Sequence, residues 1–361
     1  MMLGMVKVVH IIPYNGIGGV EIAARSLPSG KHGNIHFGKL FIASRAAPDA
    51  PDERAIWSGP NASENALTNY IAGVRNIRET RPDLVVVSLW RSCILALLAK
   101  MVMPRLRLVS FLHLPEAVHL PDRVLNALVM RLSTAIWCDS ATTLAARVPA
   151  RLRDRARVIS FLTERIERRA PSLPGPHFLF WGRLHSQKGL DTALRVFARI
   201  HARFPEASYT IIGPDMGARA TLEALARELG VADAVHFTGP LPFEEIASRA
   251  GHASFYLQAS LTEGMALSVV EAMQMGLIPA VRPVGEIARY ARDGESAVFL
   301  GSDPRASADR IATLIDTPEA AAAMARAAHA EWANAALYRD EVLAACAALD
   351  PGDTPYSRPQ G

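Results

Sequence analysis

LFWGRLHSQKGLDTALRVF, residues 179–197, decides how this 361-residue chain is read. An apolar run ends at Gly182, a polar turn carries Arg183, Lys188 and Gly189, and an amphipathic pattern over 191–204 follows. The change of period from two to 3.6 marks a strand feeding a helix. Two cations just past a strand end suit a diphosphate, Arg183 through its planar fork and Lys188 as a point charge. Two surface cations on a polar turn would give the same letters.

The same alternation extends to both sides. Upstream, VKVVHII (6–12), LVVVS (84–88), LRLVSFL (106–112) and AIWC (135–138) read as strands separated by segments long enough for crossover helices. The run 61–79 is one such helix, with Leu67, Tyr70, Ile71, Val74 and Ile77 on its apolar stripe. Downstream come HFLFWG (177–182), SYTIIG (208–213), VHFTG (235–239), SFYLQ (254–258), IPAV (278–281) and AVFL (297–300), with a helix over 218–229. Between the two series, three prolines within 171–176 form a joint that continues neither helix nor central strand. The expected architecture is two α/β domains with parallel sheets, 1–170 and 171–330, facing across a cleft. The Ala-rich stretch 318–349 reads as helical with Trp332 as an apolar anchor, and 351–361 reads as disordered.

Half the residues are hydrophobic and a fifth charged, a globular composition. Cys93, Cys138 and Cys346 stand far apart, which fits a reducing compartment and neither a disulfide framework nor a zinc site. The start reads as a first strand rather than a signal peptide, and the apolar run 93–103 is too short to span a bilayer and contains Lys100. The expected location is cytoplasmic. Residues 1–170 carry 23 Lys and Arg against 13 Asp and Glu, whereas 171–361 carry 16 against 22. A basic half fits an anionic membrane surface or a phosphorylated acceptor, or else a solvated arginine face. Nucleic acid is disfavoured, because no aromatic platform is interleaved with the basic residues.

In open α/β sheets ligands sit at the carboxyl ends of strands. After the first strand, PYNGIGGVEIAARSL (13–27) places Gly16, Gly18 and Gly19 at a helix entrance, where free N–H groups can meet an anion. A tight strand-to-helix turn explains the glycines equally well. A dinucleotide fingerprint fits poorly because Glu21 stands where its third glycine belongs. In TEGMALSVVEAM (262–273), a helix starting near Gly264 would aim its positive end at a ligand, with Glu263 outside it and Glu271 about two turns along. A nucleotide-diphosphate sugar matches that scale, sugar near Glu263 and ribose hydroxyls on Glu271.

The order Gly-Arg-Leu, Lys-Gly, Ile-Ile-Gly, Glu-Gly and Glu-Ala-Met resembles the donor domain of the retaining glycosyltransferases of family 4, also called glycosyl transferase group 1, which have the GT-B fold. The resemblance runs over nearly the whole chain and is strongest over 178–300. It implies two Rossmann-like domains and a C-terminal helix, 331–350, crossing back to the first. It implies that Arg183 and Lys188 stabilise the departing diphosphate and that Glu263 contacts the donor sugar. Gly182 and the backbone of Gly264, Met265, Ala266 and Leu267 would line the donor, Glu271 would hold its ribose, and Gly18 and Gly19 would approach its diphosphate. His113, in SFLHLPE, corresponds to a strand-end histidine near the sugar. Ala266 and Ser268 depart from the common pattern, as do RPVGEI around Glu286 and the segment 157–166. No Asp-x-Asp triplet occurs, so no metal cofactor is expected.

The implied reaction moves a sugar from a nucleotide-sugar donor to a glycan or lipid-linked acceptor in cell-surface polysaccharide or glycolipid synthesis. A sucrose- or trehalose-type synthase with a small soluble acceptor, and a silent nucleotide-sugar-binding protein, are the alternatives.

Overall fold

The computed structural model describes residues 5–16, 18–46, 57–169 and 175–349. It divides into two compact units, Met1–Glu164 with Ala336–Gly361, and Arg165–Ala335. Most of the proline joint, 170–174, and the tail 351–361 lie outside the described residues.

The first unit runs β1 (Val6–Ile12), α1 (Gly19–Ser26), β2 (Gly30–His32), β3 (Ile35–Phe41), β4 (Trp57–Ser58), α2 (Leu67–Thr80), β5 (Leu84–Ser88), α3 (Trp90–Val102), β6 (Arg107–Leu112), α4 (Leu120–Leu132), β7 (Ala135–Cys138), α5 (Ala141–Arg147) and β8 (Ala156–Val158). Its sheet has the order β2-β3-β1-β5-β6-β7-β8, with β4 on β3; only the β2–β3 pair is antiparallel. Alternation along each strand splits the core between two faces. Val9, Ile11, Val85, Val87 and Leu108 meet the layer of α2, α3 and α4. Ile12 meets Ala24 of α1 and Phe41 on the other face.

The second unit runs β9 (His177–Trp181), α6 (Leu190–Arg203), β10 (Ser208–Ile212), α7 (Arg219–Glu228), β11 (Val235–Gly239), α8 (Phe243–Ala250), β12 (Phe255–Gln258), α9 (Leu267–Met275), β13 (Ile278–Val281), α10 (Ile287–Tyr290), β14 (Val298–Phe299), α11 (Pro304–Ile315) and α12 (Pro318–Ala330). The sheet is wholly parallel in the order β11-β10-β9-β12-β13-β14. The chain builds to one side of β9 and then returns to the other, so the order reverses between β9 and β12. Helix α6 buries Leu190, Ala193, Leu194, Val196, Phe197 and Ile200 on one stripe. At roughly 1.5–3 kcal/mol for each large side chain, that stripe fastens the helix to the sheet. Trp332 is buried, donating its indole N–H to Met273 Sδ at 3.5 Å with Tyr290 edge-on.

Four details depart from the sequence reading. β3 escapes it because Gly38 and the fully buried Lys39 interrupt an otherwise apolar run in the sheet interior. The helix expected over 61–79 starts at Leu67, and its stripe is wrong in part: Leu67 and Ile71 face solvent while Asn69 and Gly73 are buried. The helix expected near Gly264 starts three residues later, at Leu267. The C-terminal stretch breaks after Ala330 and resumes as α13 (Tyr338–Ala347), which belongs to the first unit and packs on α1 and β3. Among the described residues no helix is long and apolar enough to cross a membrane.

Candidate active site

In the second unit, the crevice at the reversal point is flanked by the turns after β9 and β12, the standard ligand position in such sheets. Gly182 leaves β9 with φ 147° and is half-buried. Arg183 follows, exposed; its carbonyl accepts from the His185 N–H at 3.0 Å, and its guanidinium has no partner among the described residues. A 3-10 turn, Ser186–Lys188, is capped by the His185 ring, whose Nδ1 accepts from the Gln187 N–H at 3.2 Å. It ends at Gly189 with φ 59°, where a Cβ would lie 1.9 Å from the Ala259 carbonyl oxygen. Only glycine lets the two turns approach so closely. Gln187 seals the contact: its carbonyl accepts from the Leu261 N–H at 2.8 Å and its side chain donates to the Thr262 carbonyl at 2.9 Å.

That contact places Lys188 on Glu263. Lys188 Nζ donates to Glu263 Oε1 at 2.7 Å, both side chains largely removed from solvent. Ser260 Oγ and Gln258 Nε2 donate to the same oxygen at 2.7 and 2.9 Å. Three donors therefore converge on Oε1, and Oε2 keeps its lone pairs for a ligand. The Glu263 carboxylate orients the Gln258 amide, since a flip would set oxygen against oxygen, and the amide Oε1 accepts from the Tyr256 hydroxyl at 2.7 Å. Burial pushes the Tyr256 hydroxyl well above its ordinary pKa, which keeps it protonated as that donor. Ser268 Oγ lies 2.8 Å from the same hydroxyl, tying the first turn of α9 into the network.

Glu263 and Gly264 are buried, and Met265 and Leu267 are half-buried. Gly285 packs directly on this backbone: a Cβ there would lie 2.1 Å from the Glu263 carbonyl oxygen. Ala266 adopts a left-handed conformation, φ 56° and ψ 62°, and thereby turns the chain into α9. No side chain caps that end, which leaves the N–H groups of Leu267 and Ser268 as its open donors. Glu271, half-buried, accepts from the Trp181 indole N–H at 2.6 Å. It lies one turn into the helix rather than two, roughly 6 Å along by rise.

The remaining candidates belong to the first unit. Gly18 is the N-cap of α1 and Gly19 its first residue. The carboxylate of Glu21 folds back over this turn, since a Cβ on Gly18 would meet its Oε2 at 2.5 Å. Arg25 ties the turn down through Asn15 Oδ1 at 2.7 Å and the Gly16 carbonyl. His113 is buried past the end of β6, its Nε2 2.8 Å from Ser88 Oγ; His10 Nε2 lies 2.7 Å from the same hydroxyl. One hydroxyl proton serves one ring, so the other ring must donate its own Nε2 proton to Oγ. Burial and the neighbouring Lys39 bring the His10 pKa down to about 3, and burial with His10 alongside lowers His113 well below the ordinary histidine value. Both rings are neutral at pH 7.

Tyr256, Gln258, Ser260 and Trp181 were invisible as site residues in the sequence. The one available signal was Gln258, a polar side chain closing an apolar strand. Among the described residues, no three His, Cys, Asp or Glu side chains gather as metal ligands.

Residues 164–331 match the family described as glycosyl transferases group 1. The chain is 34% identical over 193 residues to a D-inositol 3-phosphate glycosyltransferase of Acidothermus cellulolyticus, covering 48% of this chain and 43% of the relative. The same identity holds over 182 residues to that of Corynebacterium diphtheriae, covering 47% and 43%. The chain thus spans less than half the length of these curated relatives. In structure it is similar to Anabaena Alr3699/HepE in complex with UDP-glucose, with TM-score 0.76 at 16% identity over 95% of this chain and 99% of that one. Sucrose-phosphate synthase from Thermosynechococcus elongatus gives TM-score 0.77 at 16% identity over 95% and 98%. Residues 164–331 thus carry the match to glycosyl transferases group 1, in a chain with the α/β fold of the GT-B glycosyltransferases.

Proposed function

We propose that the chain moves a sugar from a nucleotide-diphosphate-sugar donor to a glycan or lipid-linked acceptor, with retention and without a metal. One observation carries the reading: a buried glutamate with one carboxylate oxygen held by three donors, in a turn packed on the turn that follows an arginine with an unpaired side chain. Negative charge develops on the diphosphate as the anomeric C–O bond breaks. Arg183 and the open N–H groups of α9 answer it, and Lys188 still has two N–H donors after serving Glu263. Glu263 Oε2 accepts from the sugar, and Glu271 holds the ribose. Retention follows if the acceptor oxygen bonds the anomeric carbon on the face from which the diphosphate leaves. In the first unit, Gly18, Gly19 and His113 mark the corresponding ligand-facing edge.

The absence of an Asp-x-Asp triplet supports the metal-free reading, and the basic excess of residues 1–170 supports a cytoplasmic enzyme working at a membrane face. A second reading, transfer to a small phosphorylated polyol, is supported by the names of the inositol 3-phosphate relatives.

Thermal-shift titration with UDP-, GDP- and ADP-glucose, followed by transfer assays with lipid-linked glycans and inositol phosphate, tests both. One donor should stabilise the protein and support transfer. No stabilisation by any donor would overturn the proposal, and binding without transfer or hydrolysis would leave a silent nucleotide-sugar-binding protein.

A further inference from the structure

Helix α4 is apolar on two sides. It buries Val129 and Met130 in the core beside Asp122 and Asn126, while Leu120, Val124, Leu128 and Leu132, spaced four apart, are 70%, 47%, 40% and 48% exposed. The inward polar groups are satisfied. Asp122 accepts from the Val118 N–H at 3.0 Å and from the Asn126 amide at 2.6 Å, and Arg147 stands 3.6 Å away. A helix on a solvated surface would carry polar residues at those four outward positions.

The neighbouring helices of the same layer also expose apolar residues. On α2, Leu67 and Ile71 are exposed; at the end of α3, Met101 and Val102 are 70% and 54% exposed. The charge on this layer is mainly positive. Residues 67–132 contain nine Lys and Arg against four Asp and Glu. Of those four acids, Asp122 is buried and Glu79 is paired with Arg75 at 2.8 Å. Arg78, Arg105, Arg123 and Arg131 are exposed.

We infer that the α2–α3–α4 face docks on an anionic lipid bilayer, with the apolar stripe of α4 entering the headgroup boundary. Apolar residues interleaved with arginines on a helical face suit acyl chains and anionic headgroups together. A second copy meeting this face about a twofold axis would set arginines against arginines. The inference is independent of the donor chemistry, because flotation reads lipid binding without any transfer.

The test is flotation of the full chain with phosphatidylcholine vesicles and with vesicles containing phosphatidylglycerol. The protein should float with the anionic vesicles only, and raised salt should weaken binding. Val124→Asp with Leu128→Asp should lower partitioning at least tenfold, and Arg123→Glu with Arg131→Glu should do so separately. All four positions are exposed, so circular dichroism should show unchanged melting. Failure of the parent protein to float overturns the inference, as does equal binding by both double variants. A concentration-dependent dimer in light scattering, abolished by Leu128→Asp without vesicle binding, would assign the face to a second copy instead.

Discussion

The two units solve one topological problem with opposite electrostatics. Each gathers polar side chains at the carboxyl edge of a parallel sheet. In the first, His10, Ser88 and His113 share a hydroxyl and burial holds both rings neutral. In the second, Lys188 and Glu263 meet as a buried ion pair with two further donors on the same oxygen. A shared α/β layering does not decide charge; the few side chains at the strand ends do. The neutral edge tolerates loss of a partner more readily than the ionic one, where removing one charge strands the other.

The largest test separates charge for catalysis from charge for stability. Arg183→Ala and Lys188→Ala should each lower turnover by about 10²–10³-fold, as lost stabilisation of developing charge does. Only Lys188→Ala should also destabilise, by roughly 3–5 kcal/mol, because it leaves Glu263 buried without its cation. Transfer kinetics and thermal melts on both variants read the split; equal melting temperatures would mean that the ion pair is not what holds this edge. Gly189→Ala should be nearly as damaging to stability, since a methyl would overlap the Ala259 carbonyl oxygen in a left-handed turn. Several kcal/mol lost in denaturant unfolding is the expected outcome.

The neutral edge should respond to acid. His10 is harder to protonate when folded, so the unfolded chain binds more protons below its own value near 6.5. Stability is fully present above that pH and falls as pH drops from 6.5 towards 3, by on the order of a few kcal/mol. His10→Gln should flatten this slope in melts taken across the window. The smallest effect is expected at Ala266, where a left-handed backbone carries a side chain. Ala266→Gly should stabilise the second unit by about 1 kcal/mol, and a loss of stability on chemical denaturation would contradict this.

Much of the fold was legible because strand period and turn chemistry are local. β1, β5, β7, β11 and β13 begin and end where the sequence puts them. β3 was hidden by a buried lysine and a glycine, whose tolerance in a sheet interior depends on neighbours the sequence does not place. The stripe on α2 was misread because apolar periodicity gives a face, not the direction in which it points. At the site, the cations and the two glutamates were readable as residue types beside strand ends. The convergence on a single oxygen of Glu263 was not, since Lys188 arrives from 75 positions away through a glycine contact between two turns.

Tyr338 of α13 stacks on Phe111 and meets Phe161 edge-on, and its backbone N–H donates to the Leu162 carbonyl at 2.7 Å. During synthesis, the first unit to begin is consequently the last to be completed. Its aromatic cluster stays open on the ribosome while the whole second unit emerges and folds. A chain stopped at Ala335 should show a protease-sensitive first unit beside a resistant second one, and α13 acts as the latch that ends this exposure.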